Sequence, residues 1–157
     1  MVQLIAFKAD HLNRLWVQTE QTSTILALKR NCGDLASAGR ELMKTTILLR
    51  DNVPCIYTIF DEMNDEPIGC FGINHINANT AEAWALFGNK IQPHGSFLYR
   101  ELRNILNKAD IPRIQAFCDT GYPRFETFLI GLGFEKEGTL HKYGHEGQDQ
   151  HIFWYKK

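Results

Sequence analysis

The chain has 157 residues, and its 17 Lys and Arg nearly balance 18 Asp and Glu, for a formal net charge of −1. This balance gives no overall electrostatic footprint for nucleic-acid binding, and no apolar run in the sequence approaches the roughly 18 residues of a membrane helix. We therefore expect neither nucleic acid nor a membrane as a partner. The length suits one domain over residues 1–157. Four scattered cysteines without a CxxC pair predict no metal site and a reducing, cytoplasmic environment, in a cell or in something replicating in one.

The first third of the chain predicts a strand followed by two helices. Residues 4–8 have the composition of a short strand, and Asp10 stands where an N-cap belongs, before an apolar stripe of Leu12, Leu15 and Trp16. A break at 32–34 follows, with Asp34 as a second candidate cap and a second helical stripe after it that extends to Leu49. The β-branched run at 45–47 leaves open a strand that begins near Thr45.

The rest of the chain first alternates with period two and then switches between helices and strands. Three apolar runs joined by short polar turns predict an antiparallel meander, at 55–60, 67–75 and 81–87. After it we expect a helix at 96–108, a strand at 111–118, a helix at 122–132 ended by Gly133, and strands at 134–143 and 150–155. This order predicts an α+β or α/β-type class with a mixed sheet.

Several segments in this order carry a family resemblance. Phe-Leu-Ile-Gly-Leu-Gly-Phe at 128–134 is followed by Glu137-Gly138 and Tyr143-Gly144, and Gln92-x-x-Gly95 precedes the first of the late helices. Element order and motifs together resemble the GNAT acetyltransferase superfamily, best from about residue 67 to the C-terminus. The layout is most similar to phage- and prophage-encoded GNAT-like proteins, including an internal virion protein of podophages.

The resemblance implies a twisted mixed sheet flanked by about four helices, with acetyl-CoA as co-substrate and no metal. The pantetheine arm would lie between diverging parallel strands at 81–87 and 114–118, with the pyrophosphate on amides at the start of the next helix. The implied cofactor residues are Trp84, Leu86, Phe87, Gln92, His94, Gly95, Ser96 and Tyr122.

Two residues are candidates for the general base that the resemblance implies. Glu82, on the strand beside the acyl site, can take a proton through water, and His75, at the end of the preceding strand, is a second choice. The alternative for Glu82 is an ordinary solvent-facing strand residue, and the alternative for His75 is a polar strand end. His141, His145 and His151 are expected to be solvated turn histidines and not metal ligands.

The sequence departs from the family pattern at three positions. Phe97 replaces a small residue in the loop, Leu129 stands where many members carry a general-acid Tyr, and Tyr122 stands where they carry an Asn. Pro93 also removes one possible amide donor. One hypothesis is an acyl-CoA-dependent N-acyltransferase, encoded by a phage or prophage, that acetylates an amine on a protein or small molecule. The other is a non-catalytic virion, structural or host-interaction protein with a virion or host protein partner. A homodimer is left open.

Overall fold

The computed structural model describes residues 1–16 and 33–157. The described elements, in chain order, are β1 (Val2–Ala6), α1 (His11–Trp16), α2 (Leu35–Thr45), β2 (Ile56–Asp61), β3 (Glu66–Asn77), β4 (Thr80–Phe87), a 3-10 helix (Asn89–His94), α3 (Gly95–Lys108), β5 (Arg113–Asp119), α4 (Pro123–Leu132), β6 (Phe134–Leu140) and β7 (Gln150–Tyr155). Cys32, at the start of the predicted break, lies outside the described residues. Within the described ranges, no helix is long and apolar enough to span a membrane.

The second helix resolves the ambiguity that the sequence left around Thr45. Asp34 caps α2 as predicted, because its Oδ1 accepts a hydrogen bond from the Ser37 amide at 2.7 Å. The helix ends at Thr45, and the next residue takes an extended conformation and bridges Asn74 of β3. The Ile47 amide then donates to the Ile73 carbonyl at 2.9 Å. Both readings are therefore partly right, and Leu49 lies outside the helix.

The seven strands form one mixed sheet in the order β1-β2-β3-β4-β5-β7-β6. The first four strands are an antiparallel meander, β4 and β5 are parallel, and the last three neighbours are again antiparallel. The mixed sheet is confirmed, whereas the first strand lies two residues earlier than predicted. Phe7, which was placed in that strand, instead packs against His11 and Trp84 with ring centroids 6.3 and 6.4 Å apart.

The sheet has a separate apolar core on each face. On one face, Leu98 and Leu102 of α3 and Leu129 of α4 pack against the sheet. On the other face, Leu12 of α1 and Leu35 of α2 do so. Because side chains alternate along a strand, odd-numbered residues of β4 face α3 and α4, and even-numbered ones face α1 and α2.

Gly133 ends α4 as the sequence predicts, and its conformation requires glycine. Its φ of 109° is left-handed, and a Cβ built there would lie 3.2 Å from a ring carbon of Tyr155. The amide of Gly133 donates to the Ile130 carbonyl at 3.0 Å, which closes the last helical turn.

Gly133→Ala should therefore reduce the free energy of unfolding by about 1–2 kcal/mol, because an L side chain is strained in this conformation. The matched control is Gly121→Ala, since Gly121 has no positive φ and open space where its Cβ would be. The control should be neutral or slightly stabilising. Urea denaturation of both variants measures the difference, and equal losses would contradict the explanation.

Candidate functional site

A gap opens between the two parallel strands in the middle of the sheet. The described ladder between β4 and β5 consists of three pairs, Thr80↔Arg113, Ala81↔Ile114 and Glu82↔Gln115. Beyond these pairs, β4 continues to Phe87 and β5 continues to Asp119. Over these last four or more residues the two strands are not paired with each other. The strands therefore diverge towards their carboxyl ends, as the sequence analysis expected, and Glu82 marks the closed end of the gap.

Beside this gap, on the α3 and α4 side of β3 and β4, lies a cavity with about 420 Å³ of empty space, its open mouth included. Its walls are residues 71–73 of β3, residues 83–85 of β4, one face each of α3 and α4, and Phe134 at the start of β6. Every lining residue carries an apolar side chain or is glycine, apart from the indole nitrogen of Trp84. The site therefore suits an apolar guest.

Aromatic rings surround the outer part of the gap. Phe87, at the end of β4, lies 6.2 Å from Phe125 and 5.3 Å from Phe128 of α4, measured between ring centroids. Tyr99 of α3 lies 5.0 Å from Phe128. A Cβ at Gly131 would overlap the Tyr99 ring at 2.7 Å, so the absence of a side chain there lets α3 and α4 approach at this point.

The predicted anion-binding segment lies at the open end of the gap, directly after β4. Residues Asn89–His94 form a 3-10 helix that runs into α3, where the sequence analysis expected an irregular loop. Pro93 is tolerated there because the first turns of a helix do not need its missing amide hydrogen. Gln92 and Ser96 are exposed, and His94 is the N-cap residue, although within the described chain it makes no capping side-chain hydrogen bond.

Gly95 is the most informative residue of this segment. Its φ of −54° and ψ of −46° are ordinary helical values. No described atom lies within 4 Å of the position that a Cβ would take, so neither backbone strain nor crowding within the described residues requires glycine here. The bare backbone at the start of α3 leaves open space through which an anion can approach the helix amides closely.

Phe97, the departure from the family pattern, does not obstruct the cavity. Its ring packs against the edge of the core and lies under the Arg100 guanidinium, 5.6 Å from the ring centroid. The ring is outside the cavity lining. The bulky residue is therefore accommodated to one side of the open space at Gly95.

The last helix contributes one residue to the mouth and one to the interior of the cavity. Tyr122, at the N-cap of α4, is 40% exposed and lies three residues after the carboxyl end of β5 at Asp119, the end towards which the gap opens. Leu129 is 4% exposed and lines the cavity. The position at which the sequence resemblance implies a general acid therefore faces the cavity with an aliphatic side chain.

The two candidate bases lie on opposite faces of the sheet. Glu82 pairs with Asn74 on β3 and Gln115 on β5, so its side chain faces α1 and α2. It is half-buried, and this burial raises the pKa of its carboxyl group. His75 is exposed and, as the neighbour of Asn74 in β3, points to the other face. The structure thus separates His75 from Glu82.

Trp84, Leu86 and Phe87 also divide between the two faces. Trp84 and Leu86 belong to the core under α1 and α2, and Leu86 is 1% exposed. The Trp84 ring lies over Gly72, where a Cβ would be 3.0 Å from it. Of the three predicted cofactor residues on β4, Phe87 presents its side chain to the α3 and α4 side, and the buried Leu86 side chain is unsuited to a cofactor contact.

Asn74 is a site residue that the sequence analysis missed. It is 8% exposed, and its Nδ2 donates to the Leu42 carbonyl and to Thr45 Oγ1, each at 2.7 Å. Its Oδ1 accepts a hydrogen bond from Trp84 Nε1. Asn74 thus joins the end of α2 to the strand that carries Glu82. The feature of the sequence that points to this role is the single amide side chain within the otherwise apolar, buried run of β3.

The C-terminal histidines have different environments. His141 and His145 are exposed as expected, and His141 Nδ1 lies 3.0 Å from Asp149 Oδ2. His151 is a correction, because it lies half-buried in β7 with its Nδ1 2.9 Å from Glu126 Oε2 of α4. Among the described residues, no group of three or more His, Cys, Asp or Glu is arranged to hold a metal ion.

No protein-family model and no curated protein sequence matches the chain. Solved structures do match. One provisionally named a phosphinothricin N-acetyltransferase is 18% identical, with a TM-score of 0.71 over 99% of this chain and 98% of its own. A GNAT-family acetyltransferase from Bacillus anthracis is 12% identical, with a TM-score of 0.61 over 98% and 93%. Mutant forms of the spermidine/spermine N-acetyltransferase SpeG from Vibrio cholerae are 15% identical, with a TM-score of 0.63 over 98% and 93%. At these identities the similarity establishes the GNAT acyltransferase fold, and the reaction has to be inferred from the residues of the site.

Asn74→Ala should lower the free energy of unfolding by about 2–4 kcal/mol, because the Trp84 indole and the Leu42 carbonyl lose their partners in a largely buried position. Asn89→Ala is the matched control, since Asn89 is exposed, and its cost should stay within about 0.5 kcal/mol. Denaturant titration followed by Trp fluorescence measures both. A cost for Asn74→Ala as small as that of the control would contradict the role of this network.

Proposed function

We propose that the chain is an acyl-CoA-dependent N-acyltransferase that transfers an acyl group to an amine. The observation that carries this proposal is the gap between β4 and β5, which has Gly95 and the start of α3 at its open end and Glu82 at its closed end. The similarity in fold to N-acetyltransferases supports it. Fold alone does not determine chemistry, so the activity depends on the residues of this gap.

The residues present fit an acyl-CoA. The open space at Gly95, with the exposed Ser96 and Gln92 beside it, would hold the pyrophosphate against the amide end of α3. The apolar gap along residues 83–87 would hold the pantetheine arm, with Tyr122 at its mouth. When bound, the acyl-CoA supplies an activated carbonyl group and a thiolate leaving group.

Glu82 would act as general base for the attacking amine. An amine must lose a proton to become acylated, and Glu82 stands where the strands separate, on the face opposite the apolar cavity. Burial raises the pKa of this carboxyl, which brings it closer to the pH at which a base works best. A water molecule would carry the proton from the amine to Glu82. His75 lies exposed at the end of β3 on the same face as the cavity and remains the alternative base.

The state of the Cys118 thiol favours direct transfer of the acyl group from CoA to the amine, without an acyl-enzyme intermediate. Cys118 of β5 lies at 2% exposure, and burial raises its pKa to about 12, so it remains a neutral thiol and a poor nucleophile at neutral pH. Leu129 cannot protonate the departing sulfur. Because the pKa of an ordinary thiol is near 8.5, solvent can supply that proton at neutral pH.

A second candidate function is a non-catalytic GNAT-fold protein of a phage virion or of a host-interaction complex. Leu129 at the acid position and Phe97 in the anion segment favour it, and phage or prophage origin rests on the resemblance of residues 92–97 and 143–144. The chain would then be found in the host cytoplasm or in the virion, bound to a virion or host protein. Its presence in purified virions at a fixed copy number, together with failure to bind CoA, would favour this candidate.

Gly95→Ala should weaken CoA binding roughly ten-fold or more without loss of stability. The added methyl would occupy the open space that we assign to the pyrophosphate, and a ten-fold loss corresponds to about 1.4 kcal/mol. Since Ala is the better helix former and meets open space here, the melting temperature should hold or rise. Isothermal titration with CoA measures the affinity. Gly138→Ala, at another open glycine remote from the gap, is the control and should bind CoA as the wild type does.

Glu82→Gln should lower kcat/KM roughly 10²- to 10⁴-fold while raising the melting temperature at pH 7. The raised pKa of Glu82 means that the fold disfavours the ionised carboxyl, so this destabilisation appears as pH rises above the ordinary value of 4.5. The stability advantage of the variant should therefore vanish below about pH 4.5, where both side chains are neutral.

Glu41→Gln is the matched control, because Glu41 is exposed on α2 and the change removes the same charge. It should alter neither the rate nor the pH dependence of stability in this way. A Glu82→Gln variant with wild-type turnover of an acceptor amine would remove Glu82 from the mechanism, and a variant less stable than the wild type at pH 7 would contradict the assigned environment.

A further inference from the structure

The face of the sheet that carries Glu82 also carries large apolar side chains beside the gap. Glu82 is in register with Gln115 of β5, which is in register with Trp154 of β7. Phe117 lies two residues beyond Gln115 and pairs with Ile152. Because cross-strand partners project to the same side of a sheet, Phe117, Ile152 and Trp154 share the face of Glu82.

Phe117, Ile152 and Trp154 form what we term the β5–β7 surface. None of the three belongs to either apolar core of the described chain, and each is half-buried. A group of large apolar side chains that stays partly exposed marks a site of interaction. Its position next to Glu82 makes the β5–β7 surface continuous with the proposed site.

Tyr143, in the connection between β6 and β7, extends the β5–β7 surface as a wall. Its ring stacks on Phe117, with ring centroids 5.4 Å apart and 26° between the ring planes. Tyr143 is 59% exposed, so much of the residue is accessible to a ligand that contacts Phe117. Stacked rings of this kind favour a flat aromatic guest.

The connection that carries Tyr143 is fixed to the end of β5 by hydrogen bonds. Gln148 Nε2 and Gln150 Nε2 each donate to the Asp119 carboxylate, at 3.1 and 2.5 Å. The Gly144 amide donates to the Gln148 carbonyl at 2.9 Å. A Cβ at Gly144 would lie 2.2 Å from Gln148 Cδ, so the bare backbone there admits the Gln148 side chain. The wall is therefore formed before a ligand binds, which lowers the entropic cost of binding.

The charges on this face select against an acceptor that carries a carboxylate. Strands β5 and β7, both described in full, present one cation on this face, Arg113. Its guanidinium forms a bidentate ion pair with Glu137 and donates through Nε to Gln115 Oε1 at 3.1 Å. It is thus already engaged, whereas Glu82 offers a carboxyl group to an amine. A second ammonium group, as in a polyamine, would lose hydration against the β5–β7 surface.

The spacing between Glu82 and Phe117 sets the length of the acceptor. Neighbouring strands lie about 4.8 Å apart, and two residues along a strand span about 6.7 Å. Phe117 is two residues beyond the partner of Glu82, so the two positions are at least about 8 Å apart. A ring in contact with Phe117 therefore reaches Glu82 with an amino group on a chain of about two carbon atoms.

We infer that the acceptor is a primary amine joined by a short chain to an aromatic ring, with the ring against Phe117 and Tyr143 and the amino group at Glu82. This inference rests on the proposed function and names its acceptor class. The amine nitrogen bonds to the acyl carbon, the carbon–sulfur bond of the thioester breaks, and the proton of the amine passes through water to Glu82.

The test measures kcat/KM with acetyl-CoA as donor for 2-phenylethylamine, butylamine, phenylalanine and spermidine. We expect 2-phenylethylamine to exceed butylamine roughly ten-fold or more, because its ring stacks where a butyl chain does not. Phenylalanine and spermidine should also be poorer acceptors, since each adds a charge that this face leaves without a partner. Calorimetric titration with acetyl-CoA measures donor binding separately.

Tyr143→Ala should lose most of the preference for 2-phenylethylamine over butylamine, through a higher KM for the aromatic amine, and Tyr143→Phe should retain it. The preference is a ratio measured within one variant, so changes in donor affinity or in the active fraction cancel. Glu146→Ala is the matched control, because Glu146 is exposed in the same connection, and it should keep the wild-type ratio. Melting curves verify that each variant is folded.

If another of these amines is acetylated as efficiently as 2-phenylethylamine, the inference is overturned and the proposed function stands. A preference that Tyr143→Ala leaves unchanged overturns the position of the ring and the inference with it. Binding of acetyl-CoA without acetylation of any of the amines overturns the inference alone. If acetyl-CoA does not bind, the proposed function fails, and the inference fails with it.

Discussion

The parallel ladder between β4 and β5 is three residue pairs long, and its early end creates the conditions for every other feature of the site. A parallel pair that continued to Phe87 and Asp119 would close the middle of the sheet and leave a continuous surface for α3 and α4. Because the strands diverge instead, a space remains under these helices, and the helices fill it only as far as their side chains extend. The cavity, the exposed start of α3 and the position of Glu82 all follow from this one departure from regular pairing.

Two features of the chain hold this arrangement in place from either side. On the β5 side, β7 pairs over residues 115–119, so the strand that leaves β4 gains five partners on its other edge. On the β4 side, Asn74 and Gly72 of β3 accommodate the Trp84 indole and join it to the end of α2. Each strand is thus stabilised by its outer neighbour. The two strands therefore do not depend on contacts with each other across the gap, and the gap is available to a ligand.

The sequence predicted the elements well because each depends on local patterning. The Asp34 cap, the Gly133 end of α4 and the strand at 150–155 depend on residues adjacent in sequence, and all three are confirmed. The insertion of β7 between β5 and β6 depends on contacts far apart in sequence, and no local pattern indicates it. The same limit applies to the site. The alternation of β4 was visible, but which face carries Glu82 and which carries Phe87 was not, and the role of Asn74 depends on a helix end 29 residues before it.

The state of the cavity also bears on the choice between an enzyme and a protein that retains only the fold. Empty apolar space in a core lowers stability, by roughly 24 cal/mol for each Å³ in measured cases. A chain selected solely for assembly would gain stability from any larger apolar residue at position 83 or 85, and stabilising changes of this kind are readily accessible. Phe97 and Leu129 do reduce polarity around the gap, yet neither fills it, since Phe97 packs outside the lining and Leu129 leaves the interior open. An apolar interior that neither Phe97 nor Leu129 fills therefore suits occupation by an apolar guest.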